Sequence, residues 1–417
     1  MSQRKILRGN AKRKTRWYHE NPRSCPEHIR GSNEDFFMTT KLSLIKQMEQ
    51  YTRLLPGAVS LAQGTPSIFS HNVIRRYVIK QILNNKVDKY SSPHGLLELR
   101  TLIAKKLLQK GIPYDPESEI LVTAGGIEAL SATLLSLLEP AHEVLVFTPS
   151  YPYYKKIIDM ARGKMVAVPL KEKKGWKPDF HMLSQRITHR TKMIILCNPN
   201  NPTGSVFTKE ELVRIGNIAR KHNILIISDD IYENFYYGKG KIFNLCSQKK
   251  FRDYTIKITS LSKSFSLSGW RIGFLCAPKK YIERILPIHD NLINCAPVAS
   301  QYAAIAALRH SNLIAPAINE YRKRRLLMGS RLEELKDFLD FIWPQGAYYF
   351  FPKIKGMKNV KKLCFDILQK SGVALVPGNE FGPGGENHIR LCFGRSREEI
   401  VRGMKRLKKY FYGTRNS

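Results

Sequence analysis

Between residues 119 and 277 one pattern recurs: a short apolar run without alternation, a stretch with helical spacing, then another such run. The runs are EILVTA (119–124), EVLVFT (143–148), KMVAVPL (164–170), TKMIILC (191–197), NILIIS (223–228), YTIKIT (254–259) and IGFLCA (272–277). A strand with one wet face alternates apolar and polar residues. These runs are apolar at successive positions and rich in β-branched residues, which suits strands buried on both faces. Segments such as GGIEALSATLLSLL and KEELVRIGNIARKH lie between them with helical periodicity, and Thr208 with Glu211 three residues on marks the start of the second. Strands alternating with helices predict an α/β fold, a mostly parallel seven-stranded sheet flanked by helices.

A chain of 417 residues exceeds what a single small core accommodates. After residue 295 the pattern changes: a long helical stretch runs to about 338, followed by AYYFFP (347–352), VALVP (373–377), HIRLCF (388–393) and a basic terminal helix. This predicts a smaller α+β domain over 296–417, joined by residues 38–60, beside a large domain over 61–295. Residues 1–37 hold nine Lys/Arg against four Asp/Glu and no apolar periodicity, which predicts a solvated, poorly ordered arm. The arm has no apolar core of a secretory signal. It is Arg-rich without clear amphipathicity, so a transit peptide stays open, as does translation from Met38.

The formal net charge of +35 is spread along the whole chain and comes with no nucleic-acid recognition motif, so nucleic acid is not the expected partner. No apolar run approaches the ~20 residues of a membrane span. Seven cysteines without a C-x-x-C pair argue against a disulfide framework or a zinc site, and for reduced thiols in a cytoplasmic compartment. No metal is expected.

Chemistry concentrates in a few strings. SLSKSFSLSGWRIG (260–273) puts Lys263 just after a buried-strand pattern, and a lysine amine condenses with aldehydes. The hydroxyls of Ser260 and Ser262 and the guanidinium of Arg271 are the donors a phosphate monoester needs. ISDDIYE (227–233) offers Asp229 at a strand end with Tyr232 three residues on, a carboxylate able to keep a pyridinium protonated or simply to cap a helix. TAGGIEAL (123–130) is a strand, a glycine turn and a helix whose first amides can cradle phosphate. In NHIRLCF (387–393), Arg390 interrupts an apolar strand, where it needs a carboxylate, either a bound one or a structural ion-pair partner.

Taken together the strings resemble the class I/II aminotransferase family of fold-type I pyridoxal-phosphate enzymes, over residues 40–410 and in the family's order. The resemblance implies that Lys263 carries pyridoxal 5'-phosphate and shuttles the substrate proton, and that Asp229 pairs with the ring nitrogen. It implies that Tyr232 and Asn201, from NPNNPTG (198–204), donate to the cofactor's phenolic oxygen. Gly125, Gly126 and Ile127, with Ser260, Ser262 and Arg271, would hold the phosphate, and Tyr151 of FTPSYPYY (147–154) would stack on the ring. Arg390 and the backbone of Gly64, in SLAQGTPS (60–67), would bind the substrate carboxylate. Tyr90, in KYSSPHGLLELR (89–100), would reach the phosphate of a neighbouring subunit, implying a homodimer. The implied reaction moves an amino group from an α-amino acid to a 2-oxo acid such as 2-oxoglutarate or pyruvate. Tyr348, Tyr349 and Phe381 are candidates for an apolar side-chain pocket. Two strings depart from the family: Asp230 stands where Glu is usual, and EPAHE (139–143) replaces a P-G-D-E turn.

Two other functions compete. A carbon–sulfur β-lyase or a synthase would use the same lysine and ring anchors, because the substrate-side groups decide the chemistry. A non-catalytic nucleic-acid-binding regulator would explain the basic arm, but the intact lysine, aspartate and arginine set argues against it.

Overall fold

The computed structural model describes residues 42–357 and 359–413, so residues 1–41, with the basic arm and Met38, lie outside it. The seven apolar runs are all strands: β1 (Ile120–Thr123), β2 (Glu143–Thr148), β3 (Lys164–Pro169), β4 (Thr191–Cys197), β5 (Leu225–Asp229), β6 (Thr255–Ser260) and β7 (Gly273–Cys276). They form one sheet in the order β1-β7-β6-β5-β4-β2-β3. Every neighbouring pair is parallel except the two that β7 makes. Every residue of β1, β2, β5, β6 and β7 is buried, as the lack of alternation predicts.

Two of the flanking helices are α1 (Gly126–Leu137) and α2 (Lys209–Lys221). At the start of α2 the Thr208 hydroxyl accepts from the Glu211 N–H while the Glu211 carboxylate accepts from the Thr208 N–H, a reciprocal cap on two otherwise unpaired amides. The long helical stretch after 295 is two helices, Val298–Arg309 and Ile314–Glu333, because the backbone leaves the helical region at His310 (φ −109°, ψ 47°).

The C-terminal part carries its own three-stranded antiparallel sheet of β8 (Tyr349–Phe350), β9 (Val376–Pro377) and β10 (Ile389–Cys392), with β10 in the middle. VALVP divides between two sheets: Val373–Ala374 pairs in parallel with Val59–Ser60, while Val376–Pro377 joins β10. This pairing ties the first described segment to the last third of the chain. Among the described residues no helix is long and apolar enough to cross a membrane.

In a parallel sheet the carboxyl ends of the strands share one edge, and that edge is where α/β folds place ligands. The turn after β1 holds Gly125; the segments after β2 and β4 hold Tyr151 and Asn201; β5 ends at Asp229; and Lys263 follows β6. β7 runs the other way, so its amino end reaches the same edge: Gly273 pairs with both Thr123 and Ser260, and Arg271 lies just before it.

Candidate active site

At that edge lies a cavity of about 590 Å3, lined by all the residues anticipated for cofactor, carboxylate and catalysis except Gly125, which flanks it, and Tyr90. Tyr90 is 81% exposed, so its side chain lies outside the site of its own chain.

Lys263 sits on a single helical turn, Leu261–Ser264, whose Ser262 amide donates to the Ser260 hydroxyl. Its Nζ donates to the Gly64 carbonyl at 2.7 Å, an acceptor shared with the Tyr348 hydroxyl at 2.9 Å. Burial lowers the Lys263 ammonium to about 8, and the nearby charges of Arg390 and Arg271 push the same way. About a tenth of the amine is therefore neutral and nucleophilic at pH 7, against well under a thousandth for an ordinary lysine. Gly64 has no room for a side chain, since a Cβ there would fall 2.0 Å from the Tyr349 hydroxyl.

Asp229 is buried at the end of β5. It accepts from the Tyr154 hydroxyl at 2.5 Å and from the Ile231 amide at 3.2 Å. Burial raises its carboxyl to about 6, against the opposing pull of these two donors. Tyr154 was not singled out in the sequence, because a tyrosine 1% exposed on a helix face reads as core. Its place in the tyrosine-rich string FTPSYPYY, three residues after Tyr151, is the only signal that could have marked it. Because Asp229 titrates above an unfolded aspartate, the folded chain binds the extra proton and Asp229 costs stability as pH rises from about 4 to about 6. Tyr154→Phe removes a donor to the ionised form and moves that window upward. It is expected to cost roughly 1.5–3 kcal/mol at pH 7.5 and less at pH 5. Denaturant unfolding at the two pH values checks this; an equal loss at both would show that the hydroxyl does not serve the carboxylate.

The donors for a phosphate line the same cavity. Gly125 has φ 88° and precedes α1, whose amino end has no side-chain cap. A Cβ on Gly125 would meet the Arg271 Nη2 at 2.8 Å. Arg271 donates to the carbonyls of Ser268 at 3.1 Å and Ala124 at 3.3 Å, which uses two of its five N–H groups. Ser260 and Ser262 join their hydroxyls at 2.8 Å on the same wall. The first turn of a helix, a guanidinium and two hydroxyls together suit a phosphate monoester. An amine for an aldehyde and a carboxylate for a ring nitrogen lie in the same cavity, so the donor set fits pyridoxal phosphate.

Arg390, 1% exposed in β10, donates to Asn201 Oδ1 at 3.0 Å and to the Ala62 carbonyl at 2.6 Å. Its guanidinium lies 4.4 Å from the Tyr349 ring centre and 4.9 Å from that of Phe381. Nε has no partner, and among the described residues no carboxylate lies within ion-pair distance. The structural ion pair left open by the sequence is therefore absent among those residues, and a buried cation faces the cavity unneutralised. Of the three aromatic candidates, only Tyr349 lines the cavity. Its hydroxyl lies 2.8 Å from that of Tyr232. Tyr348 supports Gly64, and Phe381 packs on Arg390. Tyr151 stacks on Tyr153 with ring centres 5.3 Å apart. No group of three or more His, Cys, Asp or Glu that could hold a metal ion occurs among the described residues.

Residues 56–407 match the family model for aminotransferases of class I and II. The chain is 34% identical to an aspartate aminotransferase of Pyrococcus abyssi, over 88% of this chain and 95% of that one. It is 32% identical to an aromatic-amino-acid aminotransferase of Thermococcus litoralis, over 88% and 95%. The solved structure of an aromatic aminotransferase from Pyrococcus horikoshii superposes with a TM-score of 0.83 at 33% identity, covering 88% of this chain and 99% of that one. That superposition shows that the two chains share one fold over nearly all of the solved structure. The chain belongs to the class I and II aminotransferase family and transfers an amino group between an α-amino acid and a 2-oxo acid.

Proposed function

We propose that this aminotransferase works with pyridoxal 5'-phosphate held at Lys263. The observation that carries the reading is the meeting, in one cavity, of a lysine amine lowered to about 8, a buried aspartate and a buried guanidinium without a carboxylate. The bound cofactor supplies an aldehyde to the amine and a protonated ring that accepts electron density from the substrate Cα. Asp229 holds the proton on the ring nitrogen, and Tyr154 holds Asp229. Gly125, Gly126, Ile127, Ser260, Ser262 and Arg271 bind the phosphate, and Tyr151 stacks on the ring. Asn201 accepts from Arg390 through Oδ1, which leaves its Nδ2 to donate to the phenolic oxygen beside Tyr232. Arg390, with the backbone of Gly64, fixes the substrate carboxylate, and the neutral Lys263 amine takes the Cα proton and returns it by general acid–base catalysis.

The acceptor in this reading is 2-oxoglutarate or pyruvate. The relatives named for aspartate and for aromatic amino acids, with Tyr151, Tyr153 and Tyr349 on the cavity wall, support donors with acidic or aromatic side chains. A homodimer is supported by exposed apolar residues in the segment around Tyr90, where Phe69 is 86% and Leu83 is 76% exposed. In such a dimer Tyr90 reaches the partner's phosphate. The six cysteines among the described residues are free and buried, which suits a reducing, cytoplasmic compartment. The pairing of Val59–Ser60 with Val373–Ala374 supports a division into a large domain, 61–295, and a small one formed by 38–60 and 296–417.

The first test is an absorbance spectrum of the purified protein before and after adding a mixture of amino acids. A band near about 420 or 360 nm that moves to about 330 nm supports the reading. A protein that stays colourless after incubation with pyridoxal phosphate overturns it.

A further inference from the structure

Asp230 is the motif residue that the mechanism leaves unused, and it departs from the glutamate usual at that place. It follows Asp229 directly and is 4% exposed. Successive side chains at a strand end point to opposite sides. Asp229 lines the active-site cavity, whereas Asp230 and Glu233 line a second one of about 950 Å3. Two carboxylates on adjacent buried residues repel each other through a medium that screens poorly. The countercharge is Lys257, 0% exposed in the middle of β6. Its Nζ pairs with Asp230 and, at 3.0 Å, with Glu233, which also takes Lys110 at 2.9 Å. Asp230 is held further by the Ser228 hydroxyl and the Asn244 amide, both at 2.8 Å, and its own N–H donates to the Ile258 carbonyl at 2.9 Å. Both carboxylate oxygens are engaged, so the carboxylate is fixed as well as neutralised.

A lysine in the centre of a buried strand is costly unless something needs its charge. We propose that Lys257, through Asp230, is a positioning residue for the reaction: it cancels the charge behind Asp229, so that Asp229 stays ionised toward the cofactor's ring nitrogen. The inference rests on the cofactor reading above. The other titratable groups facing Asp229 are Tyr154 from the helix Tyr153–Met160, Cys197 at the end of β4, Tyr151, and Lys263 after β6. Of these, only Lys263 is a cation, and its amine would be engaged by the cofactor's aldehyde. Arg271 and Arg390 line the cavity that Asp229 faces, and Lys257 is the permanent positive charge on the Asp230 side of it.

The test is the dissociation constant of pyridoxal phosphate, measured by equilibrium dialysis of the full chain from pH 5 to 8.5, for wild type, Lys257→Met, Asp230→Asn and the double variant. Wild-type binding is expected to weaken as pH falls through the Asp229 transition. Lys257→Met leaves Asp230 uncompensated and moves that inflection up by about one unit, a loss of about tenfold in affinity on its acid side. Asp230→Asn removes the repelling charge and moves it down, and the double variant returns close to wild type. General loosening of the sheet would shift both single variants the same way, and that result, or no shift in either, overturns the proposal. If Lys257→Met does not fold, the direction of the Asp230→Asn shift decides alone. A wild type that binds no pyridoxal phosphate at any pH overturns the cofactor reading and this inference with it; wild-type binding with unshifted variants overturns the inference alone.

Discussion

Lys263→Ala is expected to lower transamination roughly 10^4-fold or more while the chain still folds. Two losses combine: the amine that engages the cofactor's aldehyde, and the base that moves the Cα proton, the second by itself a factor of about 10^2–10^4. Lys263→Arg separates chemistry from charge, since a guanidinium keeps the cation but stays protonated and serves neither role; its loss should match that of alanine. Stability gives the internal control. The Lys263 ammonium is lowered to about 8 in the fold against about 10.4 in an unfolded chain, so between these values the unfolded state binds more protons. Wild-type stability from this group therefore rises with pH across that window, and the variant, lacking the group, does not show the rise. Gly64 keeps one donor, the Tyr348 hydroxyl, when the lysine is removed. Denaturant unfolding at pH 7 and 9.5 beside turnover checks both halves. A variant that folds and retains more than about a hundredth of wild-type turnover would remove Lys263 from the mechanism.

The parts of this site that can be read from sequence are those whose chemistry conflicts with their surroundings. Seven apolar runs without alternation had one plausible destination, a buried parallel sheet, and a parallel sheet gathers the loops after its strands at one edge. Lys263, Asp229 and Arg390 each put a charge beside such a run, and that conflict marks them. What escaped reading is what does not conflict. Tyr154 is an aromatic residue on a helix face, and only the fold brings its hydroxyl to within 2.5 Å of Asp229 from 75 positions away. Lys257 was visible inside YTIKIT, yet one lysine among 69 Lys and Arg says nothing until its partners Asp230 and Glu233 are placed around it. The break at His310 was marked only by Ser311, Asn312 and Pro316, weak boundary signals beside the helical spacing on either side. Local pattern fixes which elements form; pairings between distant side chains depend on sheet order, which local pattern does not contain.

Arg390→Gln is expected to lower kcat/KM for amino acid substrates by about 10^2–10^3, with cofactor binding nearly unchanged. A carboxylate paired to a buried, hydrogen-bonded guanidinium loses about 2–5 kcal/mol when one partner is truncated, and every 1.4 kcal/mol is a factor of ten. Part of that range is discounted because glutamine keeps an amide donor. The stability consequence runs the other way. A buried cation with an unpaired Nε and no carboxylate partner among the described residues adds little to the fold, so its removal is expected to be close to neutral in denaturant unfolding of the free protein. Loss of the bond to the Ala62 carbonyl sets a cost of about 1 kcal/mol against that gain. Arg390→Lys keeps the charge but lacks the planar fork and should fall between the two. A primary amine substrate without the α-carboxylate supplies the decisive contrast: wild type handles it poorly, and the variant should handle it about equally poorly, because the missing interaction is then absent from both. If Arg390→Gln lowers the rate with the amine as much as with the amino acid, the guanidinium shapes the cavity in general and does not read the carboxylate.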